Sequence, residues 1–130
     1  MKELIGLVVD SVFMDDENEQ LSFVSKGISN VYVARGECCK DNNNVWFAHV
    51  TGINNLLNER VVAVDEVEMN ESIDNDYADV YSIKISTRIG YCDIEFRNDH
   101  NGYYGGWYEH TGDKINNSDG QTLREIKEDF

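Results

Sequence analysis

Strict alternation of apolar and polar side chains is the feature that most narrows what this chain can fold into. Tyr81, Ile83, Ile85 and Ile89 alternate with Ser82, Lys84, Ser86 and Arg88, so every second residue points to one side of an extended backbone. A helix would scatter that set around its axis. Gly90 then permits a reversal, and Tyr91 to Asn98 returns with Cys92, Ile94 and Phe96 on one face and Tyr91, Asp93, Glu95 and Arg97 on the other. A hairpin with one dry and one wet face is predicted.

The same period runs through most of the chain. Residues 3–14 place Ile5, Leu7, Val9, Ser11 and Phe13 opposite Leu4, Val8 and Val12, which predicts a first strand buried on both sides. Asp15, Asp16, Glu17 and Glu19 form its turn. Residues 20–25 and 31–35 give two further strands around a break at 27–30, and 36–44 reads as a polar loop. Residues 45–51 carry large side chains on both faces, and 51–58 holds one helical turn. In 61–69 the alternation sets Val61, Ala63, Val67 and Met69 inward and Glu66 and Glu68 outward, leaving Asp65 on the apolar face in need of a partner. Asn70 to Asp79 is acidic without a basic residue, the composition of a solvated loop.

After Asp99, the glycines among Asn101-Gly102-Tyr103-Tyr104-Gly105-Gly106-Trp107-Tyr108 predict a turn leading into a bulged or edge strand, with one of each adjacent aromatic pair inside and one outside. From Asn116, Asp119 as a cap and the stripe of Leu123, Ile126 and Phe130 predict a short helix or a frayed end. The predicted fold is therefore mainly β (a β-rich α+β class). It is a single antiparallel sheet domain over residues 1–130, partly rolled, with one or two short helices and a flexible or helical tail at 111–130.

Charge bears on partners. Lys and Arg number 11 against 25 Asp and Glu, a formal net charge of -14 on 130 residues, so the mean field repels phosphate backbones and direct nucleic-acid binding is not expected. The same surplus suits a basic surface on another protein, although net charge also serves plain solubility. The start of the chain lacks the basic and long apolar stretches of a signal peptide, no run is long enough for a membrane helix, and Cys38, Cys39 and Cys92 read as reduced thiols, so a cytoplasmic location is expected.

Glu37-Cys38-Cys39, Val45 to Gly52, Asn55-Leu56-Leu57, Val61 to Val67, the late hairpin and Asn101-Gly102-Tyr103-Tyr104 together resemble an uncharacterised family of small phage and bacterial proteins. The resemblance spans residues 20–109, and departs from the family in the acidic 70–79 loop and in the tail. It implies a β-rich single domain often encoded by phages, and brings no established activity.

No catalytic or metal signature is complete. Cys38 or Cys39 with His49 would make a thiol and base without a third, orienting residue; adjacent cysteines do not easily both reach one tetrahedral zinc; and the acidic turns lack the alternating ligands of a calcium loop. His100 and His110 flank the aromatic turn. Asp65, Asp93 and Glu95 could do acid–base work only if buried together, and a chain this acidic offers such groupings by chance. Neither a cofactor, a metal nor an enzyme is expected.

Two readings remain. In the first, a small acidic inhibitor of phage type binds a host protein with a basic surface, a nucleic-acid-binding enzyme, through Asp74, Asp76, Asp79, Tyr103, Tyr104, Trp107 and Tyr108, as anti-CRISPR-like counter-defence by nucleic-acid mimicry. In the alternative, Arg35, Arg88, Arg97 and Trp107 form a pocket that sequesters a small nucleotide signal. An exposed edge strand also allows a homodimer.

Overall fold

The computed structural model describes residues 1–36, 43–69, 78–100, 106–114 and 123–130. Its strands are β1 (Ser11–Asp15), β2 (Gln20–Ser25), β3 (Ile28–Gly36), β4 (Asn43–Thr51), β5 (Val61–Met69), β6 (Ala78–Thr87), β7 (Gly90–His100), β8 (Gly106–Lys114) and β9 (Leu123–Glu125). A 3-10 turn at Lys2–Leu4 and a single helical turn, α1 (Ile53–Leu56), complete them. The architecture is mainly β and antiparallel, with its strands shared between two sheets in the orders β8-β3-β2-β1-β9 and β4-β7-β6-β5.

The hairpin of β6 and β7 forms the centre of the second sheet. Ile85 pairs with Cys92, Ile83 with Ile94 and Tyr81 with Phe96, and Ile83, Ile85, Cys92, Ile94 and Phe96 are all buried. Their outward neighbours face solvent, where Lys84 lies 4.2 Å over the Tyr91 ring. Tyr108 of the first sheet meets Phe96 at 5.4 Å and Phe47 at 6.0 Å on the second, holding the sheets face to face, while Phe47–Phe96 at 5.2 Å and Tyr32–Tyr108 at 6.0 Å are contacts within a sheet. Each such pair adds about 0.5–1.5 kcal/mol beyond the area it buries.

Three expectations are corrected. The strand predicted over residues 3–14 begins only at Ser11. Gly6, at φ +92°, turns the chain so that Leu4 plugs the core, the Gly6 amide donates to the Val61 carbonyl and the Leu7 carbonyl accepts from the Val61 amide.

The phase of β5 is inverted beyond its first residue. Val61 pairs with Thr87 but Ala63 with Ser86, so Val62 is an extra residue in the ladder. Beyond this bulge Val64 is buried, Glu66 and Glu68 lie opposite Ile83 and Tyr81 on the inner face, and Val67 and Met69 are exposed. Asp65 consequently falls on the solvent side, opposite Lys84.

In the tail, Leu123–Glu125 forms a strand rather than a helix, pairing with β1 through Phe13 opposite Glu125 and Asp15 opposite Leu123. Ile126 is buried and donates its amide to the Val12 carbonyl at 2.8 Å, and Phe130 and Val50 exchange backbone bonds of 2.9 and 3.1 Å. The open edge of β1 supplies unpaired backbone groups that a strand can satisfy, whereas a short helix with three apolar residues has no comparable partner. Asp119 lies outside the described residues. No helix among them is long and apolar enough to cross a membrane.

Candidate functional site

Between β8 and the inner face of the second sheet lies a recess of about 380 Å³ lined by Glu66, Tyr81, Phe96, Gly106, Trp107 and Tyr108. Alternation positions each group. Tyr81, Phe96 and Glu66 reach the inner face from β6, β7 and β5, Glu66 because of the Val62 bulge. On β8 the side chains of Trp107 and Tyr108 diverge as predicted, Tyr108 entering the core between Tyr32, Phe47 and Phe96 while Trp107 is 43 % exposed.

Negative groups dominate the recess, with the Met1 ammonium as a positive neighbour 3.4 Å from the Tyr108 hydroxyl. The Tyr108 hydroxyl donates to Glu66 Oε2 at 2.9 Å, and burial first, then this bond and the carboxylate charge, raise its ionisation above the usual phenol range. Tyr81 is raised as well, by burial and then by the carboxylates of Asp79, Glu68 and Glu66. Asn98 sits beside Phe96 on β7, 1 % exposed, with its Oδ1 lacking a hydrogen-bond partner. Gly106 approaches this carboxamide so closely that a β-carbon would stand 2.8 Å from Asn98 Oδ1. The arrangement offers π-faces and negative charge, a receptor for a cation rather than for a phosphate.

Of the predicted partner-binding residues, Asp79, Trp107 and Tyr108 are brought to this region, whereas Asp74, Asp76, Tyr103 and Tyr104 lie outside the described residues. Reasoning from sequence missed Glu66, Glu68, Tyr81, Phe96 and Asn98. The one signal available was the spacing of Val61 and Val64, three residues apart where a regular strand wants two.

The arginines are not gathered. Arg35 stands opposite Trp107 in the first sheet, its Nε 3.3 Å from Glu109. Arg88 lies in the turn between β6 and β7, 3.6 Å from Glu59 and 81 % exposed. Arg97 is on the outer face of the second sheet, over the Trp46 ring at 5.9 Å and within 3.8 Å of Glu95.

That outer face also carries Asp93 and Glu95. Ser82 Oγ donates to Asp93 at 2.7 Å, and His49 Nε2 is 3.9 Å from Glu95, with His49, Tyr91, Met69 and both acids lining a shallow groove of about 290 Å³. Asp65 shares the face from the far edge, so the three carboxylates stand on the solvent side and are not buried together. Cys38 and Cys39 lie outside the described residues. Cys92 is a buried thiol pushed up to about 12 by burial, then by Asp129 and Asp93, which makes it a core residue and a poor nucleophile. His110 Nε2 is 2.9 Å from Asn30 Oδ1, and its ring lies 5.0 Å from that of Tyr32. The described residues contain no group of three or more metal-ligating side chains.

A family model described as a domain of unknown function, DUF7448, matches residues 2–109, a wider span than the motifs alone marked out. No curated protein matches the chain, and no solved structure does.

Proposed function

We propose, for a chain that belongs to the DUF7448 family of domains of unknown function, a non-enzymatic binding role. The protein acts as a small acidic inhibitor of phage type in the cytoplasm of a host cell. Its target is a host protein with a basic surface, a nucleic-acid-binding enzyme whose channel it occupies in place of a phosphate backbone, as counter-defence.

The observation that carries this reading is the convergence of Glu66, Glu68 and Asp79 on Tyr81 at an open aromatic recess. Chain-wide acidity serves solubility, but carboxylates facing π-surface at the mouth of a recess supply both parts of a protein interface, rings for contact area and charge for steering. The separation of Arg35, Arg88 and Arg97 gives the nucleotide-pocket alternative no comparable support.

The test is retention of proteins from bacterial lysate on the tagged full-length chain at low and high salt, beside a Glu66→Gln, Glu68→Gln, Asp79→Asn variant. A nucleic-acid-binding protein held at low salt, released at high salt and not held by the variant is the expected result. Retention that is indifferent to salt and to the three substitutions would sink the reading.

A further inference from the structure

We infer that the recess bounded by Glu66, Tyr81, Phe96 and Tyr108 receives the guanidinium group of an arginine carried by the basic partner, a reading that rests on the proposed function and assigns its site a specific chemistry. Two features converge on it.

The first is the wall. The rings of Tyr81 and Tyr108, whose centroids stand 6.2 and 5.4 Å from that of the buried Phe96 between them, are only partly buried, and a cation approaches such rings favourably. The second is charge. Glu66 stands at the recess with one oxygen accepting from Tyr108, and Glu68 and Asp79 add to the negative field at Tyr81. A nucleotide phosphate is repelled here and a cation is drawn in.

Arginine fits this set better than lysine. Its planar guanidinium stacks on aromatic faces, is weakly hydrated and carries five N–H donors, so that it can meet the Glu66 carboxylate while it stacks. An ammonium group is compact and strongly hydrated, and would enter such a recess at greater cost.

The experiment is an NMR titration of the full-length protein with N-acetyl-arginine methylamide and with its lysine and citrulline counterparts. Arginine is expected to shift the signals of Tyr81, Phe96, Gly106 and Tyr108 saturably. Citrulline, of similar shape and neutral, should leave them in place, and lysine should bind more weakly. Glu66→Gln, an exposed substitution that the fold tolerates, should weaken arginine binding about tenfold, as expected for loss of a charge-assisted bond.

Equal response to citrulline, equal affinity for lysine, shifts that map elsewhere, or no effect of Glu66→Gln would each overturn the assignment. If arginine fails while a basic protein is still retained from lysate in a salt-sensitive way that the triple variant abolishes, this inference falls and the basic-partner reading stands. If that retention is also lost, both fall.

Discussion

A β-carbon on Gly106 would stand 2.8 Å from Asn98 Cγ and Oδ1 and from Val45 Cγ2, closer than such atoms approach in folded proteins. Neither neighbour can retreat cheaply, because Asn98 is 1 % and Val45 6 % exposed. Gly106→Ala should therefore destabilise the fold by about 1–3 kcal/mol, the usual cost of overpacking, read as a lowered urea midpoint with an unchanged slope. A midpoint equal to that of the native sequence would show that the strand can move away from Asn98.

Among the elements, α1 is held by a side chain from the far end of the chain. Asp129 Oδ1 accepts from the amides of Gly52 at 2.8 Å and Ile53 at 2.9 Å, and these two bonds hold its carboxyl below the usual carboxylate range. A depressed pKa in the folded state contributes stability that is fully present above the unfolded value and disappears as pH falls through the folded one. Asp129→Asn should then cost about 0.5–1 kcal/mol at neutral pH, the lower part of the capping range because the group is exposed, and the difference from the native chain should shrink as acidification protonates the Asp129 carboxyl. Thermal unfolding of both proteins across pH 3 to 7 checks the sign. The sequence revealed the β6–β7 hairpin and the single turn at 51–58 because their cues are local: alternation, then Gly90, then Gly52. It could not reveal β9, whose strand state comes from the vacant edge of β1 rather than from Leu123 to Glu125. Nor does alternation survive the Val62 bulge, which is why the sequence places Glu66 and Glu68 on the opposite face of β5 and does not disclose the recess. The divergence of Trp107 and Tyr108 was legible, since neighbours on a strand must face opposite ways.

At the scale of the molecule, the net charge of -14 makes the sign of salt effects a diagnostic. β5 stands at the edge of its sheet and exposes Asp65, Glu66 and Glu68 beside Val67. Two copies pairing there would oppose like charges, so association between copies through this edge should strengthen as salt rises, while binding of a basic partner weakens. Sedimentation at low and high salt, with and without partner, separates the two; self-association that declines with salt would count against pairing at β5. The joining of the first strand to the last also sets an order in time. Before residues 123–130 leave the ribosome, β1 has no neighbour on its outer side and Val50 has no Phe130 to bond. The β1–β9 ladder and the Val50–Phe130 bonds form only once residues 123–130 have been made, through contacts of long sequence separation whose loop entropy is paid late, and slow folding with a vulnerable interval before they form is the expected consequence.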